Sequence, residues 1–133
     1  TFRRSTCELT EKKDILDLGV RLFQEYITEI EEKYPGWVHI LLMGGMDSEN
    51  IILANRKERW IVVSGEPNAR LNEKFIDDND VKIDRFVSVP NDADNTFLLE
   101  EILASDCSYS VRHIHYSRTL NDLVKEAEGK AVI

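Results

Sequence analysis

Three short apolar runs crowded between Trp37 and Ser64 constrain this chain more than any other feature. They are Trp37-Val38-His39-Ile40-Leu41-Leu42-Met43, Ile51-Ile52-Leu53-Ala54 and Trp60-Ile61-Val62-Val63, separated by Gly44 to Asn50 and by Asn55 to Arg59. Runs this short, rich in isoleucine and valine and bounded by glycine, asparagine and charge, have the composition of strands. Connections of this length suit antiparallel neighbours. The stretch therefore predicts a three-stranded meander.

Helical periodicity precedes it. Ser5-Thr6-Cys7-Glu8 has capping-box spacing, and behind it Ile15, Leu18, Leu22 and Tyr26 recur beside a second stripe of Leu16, Val20, Phe23, Ile27, Ile30 and Tyr34. Two adjacent stripes make a wide apolar arc, which predicts a long helix covered by one face of the sheet. Pro35-Gly36 stops it, because proline disfavours helix at the residue before it. After the meander, Gly65-Glu66-Pro67 opens a second helix carrying Leu71, Phe75 and Ile76. Val81 to Val89 alternates as a fourth strand, broken at Arg85 and Phe86, and Phe97 to Leu103 supplies a third helix behind the caps of Asn91 to Thr96. Tyr109 to Tyr116 is expected to be a fifth strand. A fourth helix runs from Thr119 to Gly129, and Ala131-Val132-Ile133 forms a short edge strand or a tail. The expected fold is α+β (mixed αβ), a single sheet of about five strands with an N-terminal three-stranded meander and about four helices packed on it, in the order α-β-β-β-α-β-α-β-α. At 133 residues, with no repeat or linker, residues 1–133 are expected to form a single domain.

Several positions invite a chemical reading. Gly44-Gly45 after a strand resembles a phosphate cradle, but that chemistry needs a helix N-terminus behind it, and a second strand is expected there. Asp77-Asp78-Asn79-Asp80 offers oxygen ligands without the glycine and glutamate of a calcium loop, and so reads as an acidic turn. Asp92 and Asp94 form a second acidic cluster. On a strand, His113 and His115 would project the same way and could share one metal ion or phosphate, with Asp47 or His39 as a further ligand. The first six elements follow the order of restriction-endonuclease-like cores, a parallel of topology alone. In such a nuclease Asp47 would hold magnesium, but the third strand lacks the expected acid-x-Lys: neither Glu58 nor Glu66 has a lysine two places on.

Charge weighs between these uses. Against 17 basic residues stand 25 acidic ones, a formal net charge of -8, which disfavours direct contact with nucleic acid and favours a basic protein partner. No apolar run is long enough for a membrane span, and Thr1 to Thr6 lacks the apolar core of a secretory signal, so a cytoplasmic location is expected. Cys7 and Cys107 match neither a metal knuckle nor a disulfide framework and are expected to be reduced. The chain is thus expected to be an acidic protein-binding module, an inhibitor or immunity-type protein neutralising a basic nuclease or toxin through Asp77, Asp78, Asp80, Asp92 and Asp94. It would need no cofactor and have no catalytic residues. The alternative is a small metal-dependent hydrolase or restriction-endonuclease-like nuclease using His113, His115 and Asp47.

Overall fold

Trp60-Ile61-Val62-Val63 is apolar at every position, and its place in the sheet explains why. A computed structural model describes residues 11–90 and 114–133. Within them β1 (Val38–Leu42), β2 (Arg59–Gly65), β3 (Arg85–Val89) and β4 (Ala131–Val132) form one sheet in the order β3-β2-β1-β4, every pair parallel. The central strand β2 is covered on both faces, so both its odd and even side chains are apolar, as parallel sheets require. Ile61 and Val63 pack with Val38, Ile40, Val89, Leu120 and Leu123 on one side, while Val62 packs with Met43, Ile52 and Ile76 on the other.

Four helices accompany the sheet among the described residues: α1 (Lys12–Lys33), α2 (Met46–Ile52), α3 (Ala69–Asp78) and α4 (Ile114–Glu126). Parallel neighbours need a connection that returns the length of the strand, usually a helix. Here α2 links β1 to β2 and α3 links β2 to β3, both on the Met43/Val62 face, while α4 packs on the opposite face through Leu120 and Leu123. The mixed helix-and-sheet class and the single sheet are as expected.

The meander is not. Ile51 and Ile52 belong to α2, whose Ser48 and Ile52 lie one turn apart and are both buried, so the second apolar run is helical and β1 pairs directly with β2 in parallel. A run of four apolar residues fits a strand or a buried helical segment equally well, and the crossover between parallel strands decides for helix. The fourth strand starts at Arg85, not Val81; Val81 and Ile83 pack on the core from the loop before it. The expected fifth strand is also wrong at Ile114 to Tyr116, which open α4. The third helix expected at Phe97 to Leu103, the Ser5 to Glu8 capping box, Cys7 and Cys107 lie outside the described residues. Ala131-Val132 does form a short edge strand, paired with Val38 and His39.

Close approach sets one glycine. The Gly65 amide donates to Tyr116 Oη at 2.9 Å, and a Cβ at Gly65 would lie only 2.5 Å from that oxygen. This contact brings the start of α4 to the carboxyl end of β2. Among the described residues, no helix is long and apolar enough to cross a membrane.

Candidate functional site

α1 departs most from its expected environment. Its 22 residues span about 33 Å, whereas the seven residues of β2 span only about 23 Å. Only Ile27 and Glu31 are buried, both in its last two turns, and no residue from Lys12 to Tyr26 is. The wide apolar arc is therefore not covered by the sheet. Ile15, Leu16, Val20, Leu22, Phe23 and Tyr26 are between 42% and 70% exposed. Single exposed apolar side chains are ordinary on a protein surface, but six on one face of one helix form a continuous patch of the kind that marks an interaction site.

Between α1 and α2 the patch sinks into a groove of about 400 Å³, with Gly19 and Ala54 beside Leu16, Val20, Phe23 and Leu53. A glycine inside a helix costs about 1 kcal/mol relative to alanine. Nothing lies within 4 Å of the position a Cβ would take on Gly19, so packing within the described residues gives no reason for it.

What holds α1 to the body is a buried carboxylate. Glu31 accepts hydrogen bonds from the Lys57 amide, which reaches both its oxygens at 3.0 and 3.1 Å, from the Glu58 amide at 3.1 Å, and from Trp60 Nε1 at 2.9 Å. Gln24 adds a reciprocal pair with Asn55, donating to its carbonyl and accepting from its amide, both at 2.9 Å. His39 stacks on Trp60 with ring centroids 5.0 Å apart, and both its ring nitrogens are buried without a hydrogen-bond partner among the described residues. Burial pushes the His39 pKa below its ordinary value, against the opposing pull of the Glu31 and Glu58 carboxylates.

The residues singled out from the sequence are dispersed. Asp77 and Asp78 end α3 and Asp80 follows it, all at the amino-terminal edge of the sheet. Asp78 pairs with Lys74, and Asp80 lines a cleft of about 430 Å³ with Arg56, Glu58, Lys82 and Asp84. Cations are present there too: Arg56 donates to the Lys82 carbonyl at 2.8 Å, and its guanidinium lies over the Trp60 ring. Asp47 stands at the opposite edge, in the first turn of α2, so it does not join the acidic turn. His115 belongs to α4, where strand alternation no longer relates it to His113. Asp92, Asp94 and His113 lie outside the described residues. No group of three or more His, Cys, Asp or Glu side chains among the described residues could hold a metal ion. The endonuclease parallel also loses its topological basis, since a helix separates β1 from β2.

In open parallel sheets, ligands bind beyond the carboxyl ends of the strands. Here that edge carries Gly44-Gly45, and a helix does follow, contrary to expectation. The phosphate cradle nevertheless fails for a different reason. The Gly44 and Gly45 amides both donate to Ser48 Oγ, at 3.2 and 3.3 Å, and Ser48 donates back to the Gly45 carbonyl at 2.7 Å. Nearby, Ser64 Oγ donates to the Met43 carbonyl, and Asn72 Nδ2 donates to that carbonyl and to Ser64 Oγ. These polar groups satisfy one another. No protein-family model, curated protein or solved structure matches the chain.

Proposed function

We propose that this chain is an acidic protein-binding module of the inhibitor or immunity type, which engages a basic protein partner through the outer face of α1. The observation that carries this reading is the continuous exposed apolar surface from Ile15 to Tyr26. Association through such a face buries apolar area, while the net charge of -8 steers a basic partner toward it. Steering acts through the summed field, so Asp77, Asp78 and Asp80 contribute from their edge of the sheet without touching the partner.

The test compares the wild-type chain with a Leu22→Asp, Phe23→Asp variant as bait in host extract, at low and high salt. The expected result is one stoichiometric basic protein, retained by wild type, lost with the variant and weakened as salt rises. Recovery of the same proteins by both baits would sink the proposal. So would a chain that sediments as a dimer and becomes monomeric in the variant, because the face would then be filled by a second copy.

A further inference from the structure

We infer that α1 is a strap latched near its carboxyl-terminal end, and that protonation of His39 beneath the latch releases the helix from a sheet that stays folded. Among the described residues, the buried groups and hydrogen bonds that fasten α1 to the body lie between Gln24 and Glu31. They are the Gln24–Asn55 pair, the buried side chain of Ile27, and the Glu31 carboxylate with its bonds to Lys57, Glu58 and Trp60. Ile27 belongs to neither of the two apolar clusters that hold α2, α3 and α4 on the sheet. Lifting α1 therefore opens neither cluster.

His39 lies at the centre of the latch. Its side chain leaves β1 on the face opposite Val38 and Ile40, and it stacks on Trp60, whose indole donates to Glu31. The residue is 1% exposed, with both ring nitrogens unpartnered among the described residues. A neutral imidazole already strands one donor and one acceptor there, and a second proton turns the acceptor into another stranded donor and adds a charge. The charged groups around the ring come from two elements. Glu31 on α1 and Glu58 on the connection into β2 draw the proton in, while Arg56 on that same connection lies over the Trp60 ring; β4 places Val132 alongside. Burial outweighs the two carboxylates, so the closed form holds the ring below its ordinary 6.5. When α1 lifts, water reaches the imidazole and its pKa returns toward that value. Protons therefore favour the open form, by up to about tenfold for each pH unit below the ordinary value until the closed-form pKa is reached.

Hydrogen exchange of the full chain, corrected for the intrinsic rate at each pH, reads such opening segment by segment. At pH 7.5 the amides of residues 27–33 are expected to be about tenfold or more less protected than those of residues 61–63. Low urea should leave the exchange of residues 27–33 unchanged, since lifting one helix exposes little surface. Between pH 7.5 and pH 5.5 their protection should fall by about threefold or more in wild type and stay level in His39→Phe. His39→Gln, which keeps hydrogen-bonding groups without titrating in this range, should behave as His39→Phe does. Equal protection of α1 and β2 in wild type, a comparison that needs no variant, would make the helix part of one cooperative unit and overturn the strap. A wild-type protection that does not change with pH, or a fall that survives in both variants, would overturn the role of His39.

Discussion

Glu31 carries the largest share of polar contacts at the junction between α1 and the sheet. Its side chain is 5% exposed, and its two oxygens meet the amides of Lys57 and Glu58 and the Trp60 indole. Removing one member of such a set strands the others, at about 1–3 kcal/mol for each buried group that water cannot reach. Glu31→Ala is accordingly expected to lower stability by about 2–4 kcal/mol, with urea denaturation as the measurement. Glu31→Gln should recover only part of that loss, because the amide places an N–H donor where a second acceptor stood. A transition at the same urea concentration as wild type would show that the junction is held by Ile27 and its neighbours instead.

His39 sets a pH dependence at the same junction. Its folded-state pKa lies below the ordinary value of 6.5 because burial penalises the charged ring. The stability linked to this depression is fully present above pH 6.5 and is lost as pH falls through the folded-state pKa, since the unfolded chain takes up the proton first. His39→Phe keeps the stacking on Trp60 and removes the titration. The variant's melting temperature should therefore fall less than that of wild type between pH 7.5 and pH 5.5, a window spanning about one unit either side of the ordinary imidazole value. Parallel profiles for the two proteins would exclude His39 as the source.

Elements are where local pattern and final structure part. The Gly44 to Asn50 segment contains a helix start whose cap comes from inside the helix: Ser48 reaches back to the amides of Gly44 and Gly45. Ser48→Ala is expected to cost about 1 kcal/mol, the usual loss for a helix N-terminal side-chain bond, read as a shift in thermal unfolding. Asn72 ties α3 to the carboxyl ends of β1 and β2 through the Met43 carbonyl and Ser64 Oγ. Its replacement by leucine should cost more than the Ser48 change, because it takes a donor from both the buried Met43 carbonyl and the Ser64 hydroxyl and brings an apolar group among polar ones. Helix α1 was legible from its periodicity and its Pro35 stop. Its burial was not, because a helix's apolar arc says that something covers it and not what.

At the scale of the whole molecule, the apolar face and the acidic charge have separable effects. Because Leu22 and Phe23 are 53% and 42% exposed, replacing both by aspartate should leave the unfolding transition within about 1 kcal/mol of wild type, as surface changes do. The same variant should bind less of a dye that reports exposed apolar surface. A large loss of stability would mean that this face is part of the core, which would remove the basis for a docking surface.

The residues by themselves determined a mixed helix-and-sheet protein, the long first helix and the central β1 and β2 runs, because each depends on local periodicity and on residues that start or stop an element, while for Ala131 to Ile133 they left a strand and a tail equally open. One cue to the rest was present as well: the unbroken apolar run Trp60 to Val63 marks a strand covered on both faces, which favours parallel neighbours over a meander. Only the tertiary structure decided that Ile51 and Ile52 are helical, that the strands run parallel in the order β3-β2-β1-β4, and that the acidic turn and Asp47 stand at opposite edges. Among the described residues, it alone left the α1 face from Ile15 to Tyr26 exposed. The physical reason is that pairing direction and burial depend on contacts between residues far apart in the chain, which a local pattern constrains only to the choice of which side must be covered.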